Sequence, residues 1–138
     1  MDDHIRRQIV VAWLKRDDGI RSPPASEEQL ADFERRFGAI PTDVRWFLRT
    51  CGGGVVGSEW VDDINALATT HSKFRAESSR AGGWRMRDVF VIGWDGAGNP
   101  FGVHAQTGKL MVEDHNFGEV HELAASFPEW LARGLVAE

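Results

Sequence analysis

Gly93-Trp94-Asp95-Gly96-Ala97-Gly98-Asn99-Pro100-Phe101-Gly102, GWDGAGNPFG, follows directly on the apolar run Val89-Phe90-Val91-Ile92. Four glycines in ten residues can cradle a phosphate, form a metal-binding turn, or turn a corner between two strands. A phosphate loop should open a helix, whose first N–H groups then point at the anion. Here a proline and a β-type run follow. The stretch therefore reads as the corner of a β-hairpin, with Gly96 and Gly98 expected at positive φ and Asn99 in the turn. Val89–Ile92 becomes a central strand and 100–105 the next one.

Working outward, Gln106-Thr107-Gly108-Lys109 is a turn and Leu110-Met111-Val112-Glu113-Asp114 a third strand. Short strands with tight turns indicate an antiparallel meander. Ser126 is placed to cap a last helix, with Pro128 and Glu129 in its first turn and Trp130, Leu131 and Leu135 on its inner face. Upstream the period is helical. A first helix runs from Asp2 to Asp18 with Ile5, Ile9, Val10, Trp13 and Leu14 as its apolar stripe, and ends at Gly19. Residues 21–25 form an extended connector. Ser26 and Gln29 make a capping box for a second helix carrying Leu30, Phe33 and Phe37, which stops at Gly38. Pro41 opens a third helix with Val44, Phe47, Leu48 and Cys51 on its buried side, and Gly52-Gly53-Gly54 terminates it. One short strand is expected within 55–61, a fourth helix from about Asp63 to Arg75, and a surface loop over 78–83. The pattern is α+β: N-terminal helices on a mainly antiparallel sheet, with a closing C-terminal helix, in one domain spanning residues 1–138.

The 138 residues are 42% hydrophobic and carry a net charge of −5, enough for a core and a soluble surface. No apolar run approaches the roughly 20 residues of a membrane span, and the first ten residues lack the apolar stretch of a secretory signal. Cys51 is the only cysteine, which excludes an internal disulfide and any multi-cysteine zinc site. A cytoplasmic protein is expected. Basic and acidic residues balance over 1–50. Residues 73–87 are basic (Lys73, Arg75, Arg80, Arg85 and Arg87 against Glu77), and 88–122 are acidic, with Asp88, Asp95, Glu113, Asp114, Glu119 and Glu122 against Lys109. That balance argues against general nucleic-acid binding and suits a basic protein partner.

No complete active site is legible. His104, His115 and His121, with Asp114 and Glu122 beside them, contain good ligands for zinc or manganese, and a small metal-dependent hydrolase can be drawn on them. Their spacing matches no established metal motif. Cys51 lies on the buried side of a helix and reads as a small hydrophobe rather than a nucleophile. Ser58 lacks the GxSxG turn, the triple glycine lacks the Lys-Ser/Thr of a P-loop, and Asp62-Asp63 reads as a helix start. No cofactor is expected. Six tryptophans include Trp60 and Trp94 near strand ends, where a half-exposed indole beside acidic residues can anchor an interface.

The order of these signals resembles the SUKH superfamily, which includes fungal cell-wall synthesis regulators and many bacterial immunity proteins. Glu34, Phe37, Gly38, Ile40 and Pro41 fill its E-x-x-L/F-G-x-x-L-P segment, and Phe47, Leu48 and the Gly52–Gly54 run its "fL…nGG". Ile92, Gly93, Asp95, Gly96 and Gly98 match its "iG-x-d-G-x-G-d" turn, with Asn99 where an aspartate is common. Leu123, Ala124, Ser126, Phe127, Trp130 and Leu131 match its ending. The similarity covers roughly residues 25–135. It implies a non-catalytic binding protein, an immunity protein that blocks a cognate toxin domain of a polymorphic or contact-dependent system, commonly a nuclease, with a scaffold or regulatory module of the same fold as the alternative; the acidic 88–122 segment adds the expectation that this toxin is basic. The acidic turns then give the expected partner face: Asp95, Glu113, Asp114 and Glu119, with Trp60 or Trp94 as apolar anchor.

Overall fold

A computed structural model describes residues 2–16 and 21–136. The fold is α+β. Among the described residues the order is α1 (Asp3–Leu14), β1 (Arg21–Ser22), α2 (Glu27–Phe37), α3 (Thr42–Thr50), β2 (Gly53–Val56), β3 (Glu59–Val61), α4 (Ile64–Ser78), β4 (Val89–Trp94), β5 (Pro100–His104), β6 (Leu110–Asp114), β7 (Glu119–Ala124) and α5 (Phe127–Leu135). Two antiparallel sheets result, β1-β2-β3 and β4-β5-β6-β7.

The helices start where their side chains satisfy the first free N–H groups. Ser26 Oγ accepts from Gln29 N at 3.1 Å while Gln29 Oε1 accepts from Ser26 N at 2.9 Å, closing the capping box. Ser26 and Gly38 bound α2 as the pattern requires. Glu34 then organises the α2–α3 corner. Its carboxylate accepts from Ile40 N at 3.1 Å and from Arg45 Nε at 3.2 Å, which explains a glutamate ahead of the glycine and proline. α1 is shorter than its pattern suggests. Arg21 Nη1 donates to Trp13 O at 2.6 Å, capping the last turn, and Leu14 is 66% exposed. The expected stop at Gly19 lies outside the described residues.

One core runs through both layers. Ile9, Trp13, Leu30, Phe33, Val44, Phe47 and Leu48 come from the helices, Val56, Ile92, Phe101 and Leu110 from the strands, and Phe127 and Leu131 from α5. Phe47 sits centrally, edge-on to Trp13 at 5.3 Å and to Phe127 at 5.8 Å. Pairs of this geometry add about 0.5–1.5 kcal/mol each beyond area burial.

Several local expectations are corrected. Arg21–Ser22 is strand β1, not only a connector, and Gly53 and Gly54 belong to β2. The single strand within 55–61 is a hairpin, turned at Gly57 (φ 61°). α4 continues to Ser78. β4 lies at the edge of its four-stranded ladder rather than centrally. The other sheet meets it there, since Asp62 N donates to Ile92 O at 2.9 Å. Gly93 permits that approach, because a Cβ at this position would stand 2.6 Å from Trp60 O. In the hairpin itself only Gly98 takes positive φ (83°) and Gly96 does not. β7 had no counterpart in the sequence reading. Its first four residues, Glu119 to Glu122, are all exposed, so the alternation that marks a half-buried strand is missing.

Candidate binding surface

Antiparallel pairing carries the Asp95–Asn99 corner and the β6–β7 turn to the same end of the four-stranded sheet. Asp95 N donates to Asn99 O at 2.8 Å, and Asp95 Oδ1 accepts from Ala97 N and Asn99 N at 2.9 Å each. The two corners are tied by Asn99, whose buried Oδ1 accepts from His115 N at 2.9 Å and faces the His115 ring Nδ1. An amide does this work where the motif commonly has aspartate: one Nδ2 donates to Asp95 Oδ2 at 3.1 Å while the oxygen serves His115.

The site residues read from sequence divide accordingly. Asp95, Asp114 and Glu119 come together at this end, but Asp95 is spent on its own turn. Glu113 is corrected from a surface charge to a buried one: it is 4% exposed, and its carboxylate accepts from Arg85 N at 2.7 Å and Met86 N at 2.7 Å. Asp114 Oδ1 accepts from Asn116 N at 2.9 Å. Glu119 is exposed, with His121 Nε2 at 3.4 Å. Trp94 is half-buried: its Nε1 donates to Thr70 Oγ1 at 3.1 Å, Lys73 Nζ lies 4.3 Å from its ring centre, and Trp84 lies at 6.0 Å. Trp60 is 37% exposed but stands on β3 in the other sheet, which meets the four-stranded sheet at β4, the edge opposite β7.

The residue that sequence reasoning missed is Phe117. It is 78% exposed at the tip of the β6–β7 turn, flanked by Asp114, Asn116 and Glu119. Half-exposed Val120 follows it on β7. The available signal was an aromatic between Asn116 and Gly118 in a turn-forming context, where no core position awaits it. Beside the tip is a cleft of about 480 Å³ lined by Trp84, Arg85, His115 and Gly118 among others. Arg85 Nη1 reaches Gly118 O at 3.3 Å. The basic 73–87 stretch thus borders the acidic hairpin, a proximity that charge counting along the chain does not reveal.

The residues on which chemistry was drawn do not come together. His104 closes the turn at the opposite end, where its Nδ1 accepts from Gln106 N at 3.2 Å. His104 and His115 are therefore separated by the length of β5 and β6, and His121 lies along β7. No group of three His, Cys, Asp or Glu among the described residues is placed to hold a metal ion. Cys51 is buried, which pushes its thiol up to about 12 and leaves no thiolate near neutrality. Asp63 caps α4, accepting from Ala66 N at 2.8 Å. Asp62 is buried, bonded by the Thr70 hydroxyl, and raised to about 6 by desolvation. No helix among the described residues is long and apolar enough to cross a membrane.

Compared with known families, residues 24–133 match the SMI1 / KNR4 family (SUKH-1). No curated protein matches the chain.

Proposed function

The chain belongs to the SMI1/KNR4 (SUKH-1) family, and from that membership we propose that it is a cytoplasmic immunity protein that binds a cognate toxin domain stoichiometrically and blocks it. One observation supports the reading above all. The end of the four-stranded sheet presents Phe117, 78% exposed, between Asp114 and Glu119. A large aromatic left in water at a turn contributes nothing to the fold, and a ring in a charged rim is the usual composition of a binding hot spot. The acidic side chains of this hairpin suit a basic toxin, such as a nuclease with a positively charged substrate path, and would speed its encounter with the chain. In this reading the chain binds without catalysing: neither its buried cysteine nor its dispersed histidines enter the mechanism.

The test is purification of the chain with the toxin domain encoded beside its gene. A 1:1 complex that abolishes the toxin's activity is the expected outcome. Failure of every adjacent toxin to bind at micromolar concentration would refute the reading.

A further inference from the structure

Phe117 does not fold back into the cleft beside it. It is 78% exposed, while the cleft of about 480 Å³ is lined by the next residue, Gly118, together with Arg80, Trp84, Arg85 and His115. Ring and cleft belong to one stiff unit. Glu113 on β6 accepts from the N–H groups of Arg85 and Met86 at 2.7 Å each, which fixes the cleft wall to the strand that leads into the tip. Arg85 Nη1 reaches Gly118 O at 3.3 Å and ties the wall to the tip itself. The indole of the cleft is held too: Trp84 Nε1 donates to Glu77 Oε1 at 2.9 Å, and its ring stands edge-on to His115 at 6.3 Å.

Tip and cleft carry opposite charge. The hairpin presents Asp114 and exposed Glu119, and the cleft rim presents exposed Arg80 and Arg85. No carboxylate among the described residues pairs with Arg80. Of the two acidic groups in the cleft, Glu77 is engaged by Trp84 and Glu113 is buried. One surface therefore holds both members of two complementary pairs: an aromatic ring beside an aromatic-lined cleft, and an acidic tip beside a basic rim. A uniformly basic partner satisfies the tip and leaves the rim against like charge. A two-fold axis between tip and cleft satisfies all four, since an isologous contact sets each patch of one copy on the complementary patch of the other. The cleft has room for the ring, because a cavity of roughly 150 Å³ takes benzene.

We infer that this end of the four-stranded sheet is a self-association surface, on which Phe117 of each copy enters the other's cleft beside Trp84 and the Asp114–Glu119 tip meets the Arg80–Arg85 rim. The inference does not rest on the immunity reading. One ring and a few charges on each side make a transient contact, with a dissociation constant of about 10–300 µM. A toxin domain that takes Phe117 at lower concentration displaces the second copy and leaves a 1:1 complex.

The full chain is sedimented to equilibrium from about 5 µM to about 1 mM in low and high salt, and nitrogen-15 spectra are recorded over the same series. A monomer–dimer equilibrium weakened by salt is expected, with the Trp84 indole N–H shifting as the dimer forms. Phe117→Ala should weaken the dimer at least about tenfold and abolish the Trp84 shift, with the thermal melt unchanged. Asp114→Lys with Glu119→Lys in one chain, and Arg80→Glu in another, should each weaken self-association at least about tenfold, because tip and rim no longer complement each other. An equimolar mixture of these two chains should associate within about threefold of the wild type, since each altered patch then meets its complement. A chain that stays monomeric at about 1 mM in low salt overturns the proposal. So does a dimer that survives Phe117→Ala, or a mixture that associates no better than its components. The toxin test is separate: a dimer with no adjacent toxin bound sinks the immunity reading alone, and a toxin bound 1:1 by a chain that is monomeric throughout sinks self-association alone.

Discussion

Two buried titratable groups should make the stability of this protein nearly independent of pH across a range where either alone would tilt it. Asp62 is raised from 3.8 to about 6, chiefly by burial, with Asp63 adding to the effect and the Thr70 hydroxyl opposing it. His71 is lowered from 6.5 to about 4, again chiefly by burial, against the bond of its Nε2 to Val91 O at 2.8 Å and with Arg75 nearby. Between pH 4 and 6 the unfolded chain has released the Asp62 proton while the folded chain keeps it, so this group lowers stability as pH rises. Over nearly the same range the unfolded chain holds a proton on His71 that the folded chain lacks, so this group raises stability as pH rises. At about 1.4 kcal/mol per tenfold change in proton affinity, each is worth about 3 kcal/mol, with opposite sign. Asp62→Asn keeps an acceptor for Thr70 and removes one titration. Its stability relative to wild type, from urea unfolding at pH 4, 5, 6 and 7, should grow by about 3 kcal/mol from the lowest to the highest pH. His71→Gln should show the opposite slope, whatever its absolute stability. A difference between Asp62→Asn and wild type that stays constant within about 0.5 kcal/mol would refute the assignment of Asp62 as a protonated group in the folded chain.

Glu113→Ala strands the buried N–H of Met86 and removes the acceptor of the part-buried Arg85 N–H. At about 1–3 kcal/mol for each unsatisfied donor, it should cost about 3 kcal/mol and lower Tm by about 10 °C, which a thermal melt reads directly. Phe117→Ala should leave the melt within about 0.5 kcal/mol of wild type and weaken toxin binding by about 2 kcal/mol, measured as a faster dissociation in a surface-binding assay. Asp114→Lys with Glu119→Lys should slow association and weaken its salt dependence, with the fold intact; an unchanged on-rate at low and high salt removes the acidic tip from recognition. Cys51 should react with a thiol reagent at pH 8 only as fast as the protein unfolds, since its thiol is buried and raised to about 12.

Local chemistry was legible without coordinates wherever one residue sets one backbone event. Ser26, Gln29 and Gly38 bound α2, Pro41 precedes α3, and Ser126 caps α5, because a cap or a stop acts within four residues. Val89–Ile92 is readable as a strand because β-branched and aromatic residues concentrate there, and Leu110–Asp114 because a short apolar run follows the Gln106–Lys109 turn. The hairpin at Gly93–Gly102 was recognised as a corner, while the role of Asn99 in tying two corners through His115 was not. That bond joins positions 16 residues apart.

The chain's order of residues thus settled the boundaries of α2, the start of α5, strands β4 to β6 and the family to which they belong, since those follow from short-range periodicity and turn chemistry. Burial and proximity came only from the folded arrangement. Glu113 and Glu119 both lie in the acidic stretch, yet one is turned inward to hold two N–H groups and the other faces water, because the Arg85–Met86 segment meets Glu113 on one side of β6 while Glu119 opens β7, a strand that pairs on one side only among the described residues. Strand β7 escaped sequence reading for the same reason: a polar edge acquires its structure from the strand beside it, not from an apolar pattern of its own.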